Sequence, residues 1–524
     1  MILMEEINIL GAGLAGLSAA ITLAQGGQKC RLISAQSSER AQSVMAEGGI
    51  NAALDLMGEG DSPELHFEDT MRGGAYLADE EAVRRLTFGA PDTVRWLAGL
   101  GVPFNMKDGR LVQRSFGGQK KKRTAYARSS TGKMIMSALI DECRKYECSG
   151  LVKRFDHHGF LGLNVREDSC LGLRARDIYS GEVMDFSGRV IMCCGGPAGL
   201  FPGLTTGTAA NSGYAAARLF EQGVVFGNLE MLQYHPTTVA IPDKRCLVTE
   251  AARGEGGRLF IMRNGKRWYF MEEKYPELKN LMPRDVVARE MYFVRKEPDS
   301  SGEVMLDMTG LDGLVWRSRL PDLRAELIHY LGIDPAMEPV PVREGIHYFM
   351  GGIYTDISHR TSLRGLYAAG ECTCQYHGAN RLGGNSMLGA VFGGRTAAED
   401  ILCDGDQAAD FNGERDSGSV TENEPSDAVK LELGEILYSG LGIVRSAEGL
   451  CNALDRLDEL EERRGTFPRT RLARAMLLSA MERKESRGAH YREDHPERDE
   501  KLGRPTLSRY KNGVIEVSIG EGFE

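Results

Sequence analysis

No apolar run in this 524-residue chain approaches the ~20 residues that a bilayer-spanning helix needs. A strand-like segment, Ile7 to Leu10, begins almost at once, with no basic and apolar leader ahead of it. The expectation is a cytoplasmic chain without direct membrane insertion, brought to the cytoplasmic face of a membrane only through a partner. An excess of positive charge is also missing: 64 Lys and Arg stand against 74 Asp and Glu, for a net charge of −10. A phosphate backbone is bound through a basic surface, so nucleic acid is excluded as the main partner. A small anion needs only a few local cations and stays open. The densest basic run, Lys120-Lys121-Lys122-Arg123, reads as a solvated loop or as an element steering an anion toward a pocket.

The eleven cysteines lack the spacing of a disulfide framework, a zinc site, a haem attachment or an iron–sulfur cluster. Cys193-Cys194 are adjacent and Cys372-x-Cys374 stands isolated. Free thiols and no metal are expected.

What is present begins with strand, turn and helix. Gly11-Ala12-Gly13-Leu14-Ala15-Gly16 follows the first strand and opens an Ala/Leu-rich helix to Gln25, with another strand from Cys30 to Ile33. With 64 glycines in 524 residues, three glycines at these offsets turn up about once by chance. The setting makes the signal specific, because the turn lets a pyrophosphate approach backbone N–H groups at a helix N-terminus. The acid expected about 20 residues on for ribose hydroxyls is replaced by Ser34. Short apolar runs ending in glycine recur at Arg189 to Cys193 and Gly365 to Ala369, which suggests one sheet assembled from distant segments.

These features predict an α/β fold, α+β overall. Residues 1–235 and 346–403 would form a discontinuous Rossmann-like dinucleotide-binding domain, with 236–345 as an inserted capping domain. The polar stretch 404–427 reads as a linker. Leucines at helical spacing after it (Leu431, Leu433, Ile436, Leu437; Leu450, Leu454, Leu457, Leu460) predict a C-terminal helical domain, 428–524.

Further motifs follow in order. They are Ala46-Glu47-Gly48-Gly49-Ile50, Arg114-Ser115-Phe116-Gly117-Gly118, Gln233-Tyr234-His235-Pro236-Thr237-Thr238 and Thr249-Glu250-Ala251-Ala252-Arg253-Gly254-Glu255. Pro283-Arg284-Asp285, His347-Tyr348-Phe349-Met350-Gly351-Gly352, Ala369-Gly370-Glu371 and His377-Gly378-Ala379-Asn380-Arg381 leading to Asn385-Ser386 complete the set. In this order the chain resembles the flavoproteins of the fumarate reductase, succinate dehydrogenase and L-aspartate oxidase family, from residue 7 to about 400 and again near 438 to 499.

The resemblance implies FAD and a small dicarboxylate. Reducing a C=C bond between two carboxylates requires cations that hold both, a hydride source and a proton donor on the opposite face. His235, His347 and Arg381 match the family's gripping residues, with the Thr249 hydroxyl assisting. An arginine fork suits a carboxylate and stays charged. Arg284 matches the proton-donating arginine, with Glu250 and Arg253 as its relay. Ser43, Ala46, Glu47, Gly48, Gly49, Glu371, Asn385, Ser386 and Leu388 match flavin-contacting segments. Glu485-Ser486-Arg487-Gly488-Ala489-His490 matches a C-terminal motif, read as packing against the flavin domain rather than as a partner contact.

Three departures refine the expectation. Gln42 stands where membrane-bound members carry a flavin-linking histidine, and an amide is no such nucleophile, so FAD is expected to be non-covalent and reduction favoured. Phe116 stands where aspartate oxidases place a glutamate for the substrate ammonium. A charge-assisted bond worth about 1.5–3 kcal/mol would be lost, which argues against aspartate and for a dicarboxylate whose C2 substituent is uncharged. Tyr214 replaces a usual Asp, and the C-terminal extension of respiratory members is short. An iron–sulfur protein is the leading expected electron partner. The alternatives are an L-aspartate oxidase and a non-catalytic electron-transfer subunit.

Overall fold

Five short strands explain why the chain's apolar runs are brief and nearly all-apolar. The computed structural model describes residues 5–128, 130–208, 210–242, 244–404, 424–520 and 522–523. In it β1 (Ile7–Leu10), β2 (Cys30–Ser34), β3 (Val152–Asp156), β4 (Val190–Met192) and β5 (Leu366–Ala368) form one parallel sheet. Its spatial order is β5-β4-β1-β2-β3. Strands covered on both faces need no polar alternation, and Ile7, Ile9, Val190, Ile191, Met192 and Leu366 are fully buried. Val190–Met192 pairs with Ile7–Leu10 on one side and Leu366–Ala368 on the other, so distant segments share one sheet, as the recurring glycine-ended runs predict. Helices Leu14–Gln25 and Asn385–Cys403 pack together on this sheet. They approach closely because Gly394 faces the Ala15 carbonyl, where a Cβ would come within 2.2 Å.

A second body carries a six-stranded sheet built largely from residues 232–349, with helix Arg284–Lys296 against it. Phe270, Met271, Val287, Met291 and Trp316 lie in its core. Two long antiparallel strands, Leu232–Ile241 and Val340–Phe349, run between the bodies. The boundaries expected at 235/236 and 345/346 fall inside these strands, where His235 pairs with Gly345. Residues leaving one body and returning from the other are thereby locked side by side.

The 404–427 linker lies mostly outside the described residues. Beyond it, helices Asp427–Gly440, Ala447–Arg464 and Pro468–Glu482 follow the leucine spacing. Leu433, Ile436, Leu437, Leu450, Leu457 and Leu460 are buried, while Leu431 is exposed. The helical expectation for 428–524 fails at its end. Thr506–Lys511 and Val514–Ile519 form an antiparallel hairpin that extends a sheet through Phe226–Gly227. Its turn, Asn512-Gly513, has φ of 52° and 83°, the left-handed pair that a two-residue hairpin requires. The basic run is also not merely solvated: Arg123 is fully buried between Asp61 and Asp69, at 2.8 and 3.0 Å.

Candidate active site

The glycine turn after β1 forms the deepest wall of a long cleft. A Cβ on Gly11 (φ +112°) would lie 2.2 Å from the Cys193 carbonyl oxygen, and one on Gly16 would lie 1.8 Å from the Gly11 oxygen. Only glycine fits, and the helix N-terminus is drawn up to the cleft, where its Leu14 N–H donates to Ser43 Oγ at 3.2 Å. Two cavities meet here, of about 530 and 220 Å³, sharing Gly13, Gln42, Ser43, Cys193, Gly195 and Asn211. The larger is walled by Gly11, Ala12, Ser34 and Tyr214. The smaller is walled by Leu14, Ala15, Ala46, Glu47, Gly48, Gly49, Glu371 and Ser386. An elongated space that passes a side-chain-free turn at a helix N-terminus fits an extended dinucleotide such as FAD.

Three residues expected to contact the cofactor stand elsewhere. Gly16 packs on Gly11. Asn385 is buried in an amide web, its Oδ1 accepting from Asn51 Nδ2 at 2.7 Å and its Nδ2 donating to Thr70 Oγ1 at 3.0 Å. Leu388 is a fully buried core residue. All three shape the cleft without lining it, because a helix turns most of its residues away from any one ligand. Ser34 lines the cleft, and its hydroxyl contacts the Gln36 carbonyl at 2.7 Å and Asp156 Oδ1 at 3.1 Å. Gln42 turns its Oε1 to the Thr208 N–H at 2.6 Å.

The smaller cavity is also lined by His235, Thr249, Glu250, Arg284, His347 and Arg381, with Phe116 and Tyr348. Five separate elements deliver these side chains. The two inter-body strands carry His235 and His347. Thr249 caps the short helix Glu250–Gly254, its hydroxyl accepting from the Ala251 N–H. Arg284 opens helix Arg284–Lys296 after Pro283, and Arg381 precedes helix Asn385–Cys403.

Arg284 donates from Nε and Nη2 to Glu250 Oε2 at 2.9 and 2.7 Å, and from Nη1 to Gln233 Oε1 at 3.0 Å. That same amide oxygen accepts from Arg381 Nη2 at 3.0 Å. The Gln233 amide nitrogen donates to Asn380 Oδ1 and to the Arg381 carbonyl, at 2.8 and 2.7 Å. Arg253 lies behind, 3.9 Å from Glu250 Oε1, and does not line the cavity. Sequence reasoning missed Gln233 and Asn380, because a neutral amide carries no charge signal although it sits between two guanidiniums. It also missed Thr206, whose hydroxyl is 2.7 Å from His347 Nδ1.

The electrostatics correct one expectation. Burial, then the nearby Arg284 guanidinium, holds His235 and His347 well below the usual imidazole range. Burial thus favours the neutral imidazole at both positions, where cations were expected. Burial and Arg284 also lower Arg381 to about 9, leaving it charged near neutrality. Burial pushes Glu250 up, but Arg284 and Arg253 outweigh it and hold the carboxyl below its ordinary value. Burial raises Glu47 to about 8 and Glu371 to about 7. Among the described atoms, buried His235 Nε2, Arg381 Nε and Glu47 Oε2 have no hydrogen-bond partner. Unpaired buried polar groups around a cavity are costly unless a ligand or water meets them.

Among the described residues no His, Cys, Asp and Glu cluster could hold a metal, and the eleven cysteines are free. No helix of the described residues is long and apolar enough to cross a membrane.

Residues 7–387 match the family described as FAD binding domain, and 469–519 match the one described as fumarate reductase flavoprotein C-term. The chain is 37% identical to the succinate dehydrogenase flavoprotein subunit of Bacillus subtilis, over 97% of this chain and 94% of that one. It is 33% identical to L-aspartate oxidase 2 of Ralstonia nicotianae, over 94% and 92%. A solved E. coli quinol fumarate reductase FrdA chain carrying a point mutation superposes with a TM-score of 0.88 at 30% identity. That likeness covers 99% of this chain and 96% of that one.

Proposed function

We propose that this chain, which belongs to the FAD-dependent fumarate reductase and succinate dehydrogenase flavoprotein family, reduces fumarate or a close unsaturated dicarboxylate. The observation that carries this reading is the Arg284–Glu250 pair set beside Arg381, facing a cleft shaped for FAD. Bound FAD supplies hydride to one alkene carbon. Arg381 would grip one carboxylate, with His235, His347 and Thr249 donating or accepting hydrogen bonds around the diacid. Charge building on the carboxylate-bearing carbon would be stabilised by the two guanidiniums in a site of low dielectric.

Arg284 would release a proton from its guanidinium to the second carbon. Arginine is a weak acid, with a pKa above about 12, so the role requires prompt re-protonation. Glu250, bonded to Arg284, would take up a proton relayed from solvent by way of Arg253 behind it and pass it to the neutral Arg284 guanidine, returning to its ionised form. FAD would be non-covalent, since Gln42 offers no nucleophile. Without a covalent link the flavin potential is lower, which favours reduction over succinate oxidation. The Bacillus relative's name supports the opposite direction, and the same groups could act in reverse. Phe116 on the cavity wall argues against an ammonium-bearing substrate such as aspartate. Electrons would arrive through a separate iron–sulfur protein, on the cytoplasmic side.

Three parallel assays test this reading: fumarate with reduced viologen, succinate with an oxidised dye, and L-aspartate with oxygen. Fumarate reduction is expected to be the fastest, and faster iminoaspartate formation would overturn the proposal. Arg284→Lys is expected to lower kcat by about 10²–10⁴-fold while fumarate still perturbs the flavin spectrum. Unchanged turnover would remove Arg284 from the mechanism.

A further inference from the structure

The loop that carries Arg381 is held on its outer side by residues nearly 110 positions later in the chain. Ala489 N–H donates to the Ala379 carbonyl at 2.8 Å. Gly488 (φ +55°) lies so close that a Cβ on it would come within 2.6 Å of the Ala379 oxygen and 2.8 Å of its Cβ. On the inner side, Ala379 N–H donates to Gly74 O at 2.9 Å, and a Cβ on Gly378 (φ +55°) would meet Gly74 O at 2.5 Å. The backbone of 377–381 is thus pressed between two turns with no side chain intervening.

The outer turn is itself anchored by fully buried charges. Arg487 donates through Nε and Nη2 to Glu485 at 2.7 and 3.0 Å, and through Nη1 to the Ala75 carbonyl at 2.8 Å. Glu485 also accepts from Arg483 at 2.8 Å, and Arg483 donates to Glu230 at 2.7 Å. Glu230, Arg483 and Glu485 are fully buried and Arg487 nearly so. Glu230 lies in the turn just before the strand Leu232–Ile241 that carries Gln233, and Gln233 bridges Arg284 and Arg381. The two ends of this ionic chain therefore reach the two backbone segments that set where the guanidiniums stand.

We propose that the Gly488–Ala489 turn, with its Arg487–Glu485–Arg483–Glu230 anchor, is a positioning clamp for the Arg381 guanidinium. It fixes the backbone of 377–381 so that Arg381 meets a substrate carboxylate without being ordered at the moment of binding. A loosened loop would have to be ordered by the substrate itself, and affinity would fall by that ordering cost. The substrate part of this inference rests on the dicarboxylate reading above; the clamp itself does not.

The test compares the FAD-loaded protein with Gly488→Ala, and with Gly513→Ala as a control for backbone strain. Gly513 also has a positive φ (+83°), but no neighbour stands within 4 Å of its added Cβ. Amide hydrogen exchange is expected to speed up across 377–382 in Gly488→Ala, and not in Gly513→Ala. Titration of the flavin spectrum with malonate, a saturated diacid, is expected to show at least tenfold weaker binding in Gly488→Ala alone. Arg487→Lys, which keeps the charge but loses the fork, is expected to act in the same direction and serves if Gly488→Ala does not fold.

Unchanged exchange at 377–382 would overturn the clamp. Faster exchange with unchanged malonate affinity would overturn its positioning role, as would weakening that only tracks lost FAD. If the unmodified protein binds no diacid, the proposed function falls, while exchange still decides whether the clamp exists.

Discussion

At the scale of single residues, chemistry follows from small choices. Gln42 occupies the cleft and engages the Thr208 N–H, with no group able to bond a flavin carbon. Acid precipitation should therefore release yellow FAD into the supernatant, and flavin retained in the pellet would contradict this. Glu47 shows how burial decides protonation. Its Oε2 is buried without a partner, and desolvation, followed by repulsion from Glu326, raises its pKa from 4.5 to about 8. Between those values the folded chain holds a proton that the unfolded chain has lost. Glu47 therefore contributes most stability below pH 4.5, and this is lost as pH rises to about 8. The slope is at most about 1.4 kcal/mol per pH unit. For the FAD-free protein, melting temperature should fall less between pH 5 and 8 in Glu47→Gln than in the unmodified chain. Parallel curves would show that the carboxyl does not titrate there. Gln233 is the counterexample to reading by charge: its neutral amide oxygen accepts from both Arg284 and Arg381.

At the scale of elements, the turn after β1 shows a motif in its physical setting. A Cβ on Gly16 would press into the Gly11 carbonyl at 1.8 Å, so strand and helix would have to separate. Gly16→Ala is expected to lower FAD affinity at least a hundredfold while far-ultraviolet dichroism is retained. Flavin fluorescence titration measures this, and undiminished affinity would show that the turn tolerates opening. The strands Leu232–Ile241 and Val340–Phe349 have a different task. Their antiparallel register places His235 opposite Gly345 and leaves His347 two residues on, so the two rings meet with centroids 5.1 Å apart. The C-terminal hairpin was legible in Asn512-Gly513, yet the leucine spacing before it drew the expectation to helix. Local turn chemistry outweighs the habit of the preceding segment.

At the scale of the molecule, buried charge ties the C-terminal unit to the flavin-binding body. Arg483 is fully buried and meets Glu230, Glu485, Thr506 and two backbone carbonyls. Arg483→Met would leave two buried carboxylates without their shared cation. A cost of about 3–5 kcal/mol is expected, read as a lower denaturant midpoint. A shift below 1 kcal/mol would mean that the carboxylates take up protons or admit water instead. Residue identity and spacing alone were enough for the glycine turn, the one sheet of separated strands, the family and most of the side chains that line the smaller cavity. A motif preserves both. Only the tertiary structure decided that burial favours the neutral imidazole at His235 and His347, that Gln233 joins the two guanidiniums, and that residues 488 and 489 press on the Arg381 loop. Desolvation and contact between distant segments depend on which groups fold together, and no local pattern encodes that.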